Sequence, residues 1–158
     1  MSNILHGYAI AIVPLSLKIK IKKEKTCLIQ RFDDTIKKVF LVREGIEKKG
    51  RDVILFKRVS KDFKTQEGTK NETSWNIGST ITHQNWEPTQ SECGAGKFHA
   101  CSRPYFCDEF RSDDGDKYIA VRIKVADLYE WERPEYPHKI AFHTGKVLYE
   151  CNKYGGKI

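Results

Sequence analysis

The sequence predicts an α+β domain, a mainly antiparallel sheet of about five or six strands with one longer and one short helix. Three observations carry this. Residues 117–128 alternate apolar and charged side chains, Ile119, Val121, Ile123 and Val125 against Arg122 and Lys124, the period of a half-buried strand. From Asp33 the period changes, and Ile36, Val39, Phe40 and Ile46 fall close to one helical stripe. Nowhere do strands and helices alternate as a parallel sheet requires, and no phosphate-cradling glycine loop is present.

Taken in order, residues 1–28 read as a basic, extended N-terminal segment ahead of a single α+β domain at 29–158. An apolar run reaches Val13 and breaks at Pro14, and Leu17 to Lys22 alternates strictly, with Lys18, Lys20 and Lys22 on one face. Asp33 or Asp34 is placed to cap the longer helix and Gly50 to close it. A strand follows over 51–60, with the apolar run Val53-Ile54-Leu55-Phe56 and with Lys57 and Arg58 at its end, and then a polar loop at 61–71. Trp75 to Trp86 predicts a short strand ending near Pro88, with both tryptophans as core or lid residues. Ser102 is an N-cap for the short helix, which runs from Arg103-Pro104 to about Arg111. Near the end, 139–143 and 146–151 flank Thr144-Gly145 as a hairpin.

A chain of 158 residues is the size of one domain and buries roughly 70% of its unfolded surface. The net charge of +7 is uneven: residues 1–50 hold 11 Lys and Arg against 5 Asp and Glu, whereas 51–158 are nearly neutral. That disfavours a phosphate-tracking groove in the main body and gives the lysine run two roles, an edge-protecting strand face or a contact for a polyanion. Five cysteines leave one unpaired in any full disulfide scheme, so a reducing cytoplasm is the expected compartment. The apolar run at 8–15 is far short of the ~20 residues a membrane span needs, and residues 1–7 lack the cations of a signal peptide. The three aspartates at 113–116 lack the later bidentate glutamate of a calcium loop.

Chemistry concentrates at 92–107, where three cysteines, two glycines and a histidine fall within sixteen positions. Cys93, His99, Cys101 and Cys107 are candidate zinc ligands, with His83 as a substitute, although their spacing is not that of paired zinc knuckles. The same cysteines also suit a core, as small apolar side chains. Cys101 beside His99, or Cys107 in the first turn of a helix that would lower its pKa, is a candidate nucleophile. The pattern of a zinc deaminase fails for want of its glutamate and second cysteine. No cofactor is required, and zinc or NAD are the two the residues would accept.

Trp75-Asn76-Ile77-Gly78, Trp86, the run from Glu92 to His99, Arg103 and Phe110 together resemble uncharacterised phage and bacterial proteins, including a domain of unknown function that follows pentapeptide repeats. The likeness covers roughly residues 53–112. It implies a phage or prophage source, where small accessory proteins modulate host or defence systems, and it brings no activity with it. The order of elements is also similar to compact ADP-ribosyltransferase folds. That resemblance implies Arg58 and His99 holding the nicotinamide ribose and a late glutamate, Glu132 or Glu150, activating attack. No Ser-Thr-Ser motif follows the middle strand.

Two functions are therefore expected. The first is an accessory protein of the host cytoplasm that binds a macromolecular partner, a host protein or nucleic acid, through Lys18, Lys20, Lys22 and exposed Trp86, Tyr105 and Trp131. The alternative is an NAD-dependent transferase built on Arg58, His99 and Glu132 or Glu150. A concave pocket joining those three places favours the enzyme, whereas a contiguous apolar patch favours the binder.

Overall fold

The computed structural model of the chain describes residues 3–14, 17–32 and 38–158, and the chain divides into two units, 1–37 and 38–158. In the first unit the apolar N-terminal run forms strands, but they pair in parallel. β1 (Asn3–Leu5) pairs with β3 (Ile21–Lys23), and β2 (Ile10–Pro14) with β4 (Leu28–Phe32), each residue with the one eighteen positions on, as Asn3 with Ile21 and Ile10 with Leu28. Val13 and Cys27 are buried, while Ile10, Ile12 and Leu28 face out. The alternation at Leu17 to Lys22 overstated the strand. Arg31 donates to the carbonyls of Leu17 and Ile19, which takes those acceptors out of any ladder, and only Ile21–Lys23 pairs. Glu24 fastens the turn by accepting from Gly7 N and facing His6 Nδ1 at 2.9 Å, contacts that hold its carboxyl below the usual range.

The second unit begins with α1 (Val39–Arg43), far shorter than the helix expected from Asp33 to Gly50. Asp33, Asp34 and Ile36 lie outside the described residues. The helix stops at Gly45, whose φ of 63° is left-handed, rather than at Gly50. Its first N–H groups are capped from across the fold, with Val39 N and Phe40 N donating to the two Glu130 oxygens at 2.7 and 2.8 Å. Phe40 and Leu41 are buried and Val39 is exposed, so the buried face differs from the expected stripe.

The rest of the unit is mostly β. β5 (Asp52–Val59) is followed by a two-residue ladder of β6 (Lys64–Thr65), inside the segment expected as loop, with β7 (Thr73–Ser74), just beyond it. Then come β8 (Thr80–Thr82), β9 (Phe98–Cys101), a 3-10 turn at Pro104–Glu109, β10 (Lys117–Lys124), a second 3-10 turn at Val125–Asp127, β11 (Leu128–Tyr129), β12 (Lys139–Phe142) and β13 (Thr144–Cys151). Seven strands form one antiparallel sheet in the order β11-β12-β9-β5-β10-β13-β8, more than the five or six expected. Its core joins Val53 and Leu55 of β5, Ile119, Val121 and Ile123 of β10, Ile140 and Phe142 of β12, Val147 and Trp75. Trp75 is fully buried, and its indole N–H donates to Thr65 Oγ1.

Two turn assignments change. Ser102 does not cap the short helix, because it is buried at the end of β9 and its hydroxyl donates to Glu44 Oε1; Arg103 takes the N-cap position without a side-chain bond. Thr144-Gly145 does not reverse the chain either. β12 and β13 lie four places apart in an antiparallel order, so they run in the same direction and His143 alone joins them. They are two halves of one bent strand that serves both ends of the sheet. Gly145 is needed there for close approach, since a Cβ would meet Val121 Cγ1 at 2.6 Å and Phe142 Cε2 at 3.1 Å.

Gly145→Val therefore overpacks the core. It should lower stability by about 1–3 kcal/mol, read as a lower urea midpoint at unchanged m-value. An unchanged midpoint would mean that the strand crossing is looser than this packing requires.

Candidate functional site

Where β5, β9 and β12 come together, a cavity of about 410 Å3 opens beside the glycine-containing loop of residues 93–97. Three local features build its wall. Gly94 and Gly96 hold φ of 106° and 86°, and a Cβ on Gly96 would meet Glu87 O at 2.7 Å, so the loop lies flat against its neighbour. Glu92 anchors the loop by accepting from Glu135 N and Tyr136 N at 2.6 and 2.9 Å, while its carbonyl is 2.8 Å from His99 Nε2. A carbonyl only accepts, so Nε2 carries the hydrogen. The β6–β7 segment contributes Thr65, Gln66, Asn71 and Thr73 to the polar wall.

The lining is one-signed. It includes Lys57, Arg58, Lys97, Arg111, Lys139, His83 and His99 and, among the described residues, no aspartate or glutamate. The two arginines have acids of their own. Arg58 meets Asp108 Oδ1 at 2.6 Å and Asp116 at 3.7 Å; Arg111 grips Glu67 and Asp116 with both faces of its fork, which raises its pKa.

The three lysines do not. Lys57 Nζ donates to His99 O at 3.0 Å and lies 4.9 Å from the Trp75 ring centroid. Lys97 Nζ donates to Ala95 O at 2.9 Å. Lys139 Nζ lies 3.0 Å from Cys93 Sγ, between the rings of Phe110 and Tyr136 at 4.5 and 4.4 Å. Among the described residues none of the three forms an ion pair with a carboxylate, although Lys97 and Lys139 are only 6% and 4% exposed.

This environment shifts the acid–base equilibria of the groups within it. Burial lowers Lys57 to about 8; the Cys107 and Cys101 thiols oppose the shift, and Arg111 and Lys139 add to it. Burial also lowers Lys97, with Lys139 contributing. His99 falls to about 3, through burial first and then the charges of Lys57 and Lys139, so its ring is neutral at pH 7.

The expected residues distribute unevenly around this cavity. Cys93, His99, Cys101 and Cys107 all line it, yet among the described residues no group of three His, Cys, Asp or Glu is placed to hold a metal ion. Three of the four make other contacts, with Cys93 against the Lys139 ammonium, His99 Nε2 on Glu92 O and the Cys107 thiol toward Phe56 O at 3.5 Å. Cys107 is also no activated nucleophile: contact with Cys101 and burial push its pKa up, the reverse of the helix effect expected.

Arg58 and His99 reach the cavity together, but neither late glutamate lines it. Glu150 pairs with Lys117 at 3.5 Å on β13, and Glu132 is exposed in the link between β11 and β12. Lys18, Lys20 and Lys22 are exposed in the first unit. Trp86 is half-buried and stacks on His143 at 5.1 Å, and Trp131 packs between His99 and Tyr129, so Tyr105, at 40%, is the expected contact aromatic that is exposed.

Sequence reasoning missed Lys57, Lys97, Arg111 and Lys139. For Lys57 a signal existed, since period two on β5 puts it on the same face as Val53, Leu55 and Val59, all buried. No protein-family model, no curated protein and no solved structure matches this chain, so the functional reading rests on the geometry.

His99 supplies a check. Unfolded histidine takes up a proton near pH 6.5, whereas folded His99 waits until about 3. Between those values the unfolded state binds more protons, so this group removes stability as pH falls, by at most about 1.4 kcal/mol per pH unit. Ring nitrogen shifts followed by NMR should show a neutral, Nε2-protonated His99 down to pH 4; protonation between pH 6 and 7 would contradict the buried environment.

Proposed function

We propose that this chain is a binding protein whose second unit receives a phosphate-bearing group, a free nucleotide or one nucleotide unit of a nucleic-acid strand, in the cavity beside the glycine-containing loop. The observation that carries it is the trio Lys57, Lys97 and Lys139, which share one cavity with no carboxylate in the lining. Holding like charges together is costly. Any two unit positive charges about 8 Å apart, at an effective dielectric near 20, repel by about 2 kcal/mol. An entering anion removes that repulsion and replaces the water the ammonium groups have lost, so the site favours a ligand with several negative oxygens.

Size supports a small group. A cavity of about 410 Å3 suits a nucleotide-sized ligand and excludes a duplex. Thr65, Gln66, Asn71 and Thr73 in the lining offer donors and acceptors for a sugar or base. The exposed lysines of the first unit are the kind of residues that hold a polyanion by counterion release. An NAD-dependent transfer shares this ligand class but also needs a carboxylate at the reacting carbon, and Glu132 and Glu150 are not in the lining.

The test is equilibrium binding of labelled ADP and of a 5′-labelled single-stranded oligonucleotide. Lys97→Gln and Lys139→Gln should each weaken binding by roughly 10-fold to 100-fold, the loss of one charge-assisted hydrogen bond worth about 1.5–3 kcal/mol. Affinity should also fall as pH rises through about 8, where Lys57 gives up its proton. Saturable binding of ADP alone identifies a small-molecule site, and a preference for the oligonucleotide identifies a strand. Absence of saturable binding, or affinity indifferent to both substitutions, would sink the reading.

A further inference from the structure

We propose that Lys57 is a nucleophilic amine that condenses with an aldehyde or ketone carried by the phosphate-bearing ligand, forming an imine within the cavity. This rests on the cavity being a phosphate site, and it goes further by naming the reactive group of the ligand.

Position is the first argument. Lys57 lies on the core face of β5 and lines the cavity, and its ammonium is held by one carbonyl, His99 O, and by the face of Trp75. A lysine that serves structure in such a place has a carboxylate partner, as Arg58 and Arg111 have here. The groups that face it from each packed element are His99 and Cys101 on β9, Cys107 in the 3-10 turn, Arg111 after that turn and Lys139 on β12. None is an acid that would lock the amine in its charged form. A fraction of the neutral amine is therefore available at pH 7 to 8, in keeping with the lowering of Lys57 to about 8.

Arrangement is the second argument. Lys97 and Lys139 supply fixed charges for phosphate oxygens in the same cavity, so a carbonyl a few bonds from the phosphate is held where Lys57 can attack it. The Nζ lone pair bonds to the carbonyl carbon. Both protons of the neutral amine then leave with the carbonyl oxygen as water, and a C=N bond remains. The step needs no oxidant or reductant. Two sources carry this chemistry, a small phosphorylated aldehyde or the open-chain sugar aldehyde of an abasic nucleotide within a strand.

The experiment is reductive trapping on the full chain with cyanoborohydride, followed by peptide mapping. Three probes are compared: pyridoxal 5′-phosphate, pyridoxal without phosphate, and a single-stranded oligonucleotide with one abasic site. The expected adduct is on Lys57, forms at least tenfold faster with a phosphate-bearing probe than with pyridoxal, is suppressed by ADP, and has a half-maximal rate near pH 8. Trapping of pyridoxal 5′-phosphate alone identifies a small ligand, and preferential trapping of the oligonucleotide identifies a strand. Label spread over the exposed Lys18, Lys20 and Lys22 with Lys57 unmodified overturns the proposal, as does label centred on Lys97 or Lys139. ADP binding measured on the same preparation separates the two failures. Binding without a Lys57 adduct removes the imine and keeps the phosphate site, whereas absence of both removes the phosphate site as well.

Discussion

One strand, residues 139–151, belongs to both ends of the same sheet, with its first half beside β9 and its second half beside β10. Only His143 separates the halves, so the sheet curls back on its own strand. Gly145 permits the crossing because Val121, Ile123 and Phe142 occupy the space where any side chain would go. The cavity depends on this bend. It sets Lys139, the first residue of β12, opposite Cys101 and next to the loop of residues 93–97, while β5 delivers Lys57 from the other side through its pairing of Phe56 with Cys101.

Electrostatic asymmetry follows from that placement. The acids near the cavity are consumed by the arginines: Asp108, Asp116 and Glu67 hold Arg58 and Arg111, and Asp108 also accepts from the Tyr118 hydroxyl at 2.6 Å. Glu92 is turned away to the backbone at 135–136. The lysines are left with carbonyls, a sulfur and aromatic faces, which solvate a cation without neutralising it. Such a lining is unfavourable for an empty fold and favourable for an occupied one, the usual mark of a site kept for binding rather than for stability. Neutral His99 fits the same logic, since protonating it would add one more charge to a crowded place.

The period-two pattern on β10 was legible in the sequence because Ile119, Val121 and Ile123 all lie in the core. Features set by distant partners were not. The cap on α1 comes from Glu130, some ninety positions away, so the local aspartates misdirect any reading of where the helix starts. Ser102 looks like a cap only until Glu44 is brought beside it. Thr144-Gly145 has the composition of a turn, and only the packing against Val121 shows that the glycine is there for space. The stretch at 92–107 does border the site, yet its cysteines drew attention that belonged to Lys97. Net charge hides this distribution: residues 51–158 are nearly neutral in sum, but acids near the cavity pair with arginines while three lysines share the cavity.

A lysine-lined cavity of this kind is suited to an oxyanion. The most direct measurement is anomalous diffraction from crystals of the full chain soaked in tungstate at low ionic strength. The expected result is a tungsten peak inside the cavity, within hydrogen-bonding distance of at least two of Lys57, Lys97 and Lys139, and lost when ADP is present. A cavity without a peak, in crystals where tungstate decorates Lys18, Lys20 or Lys22, would contradict it.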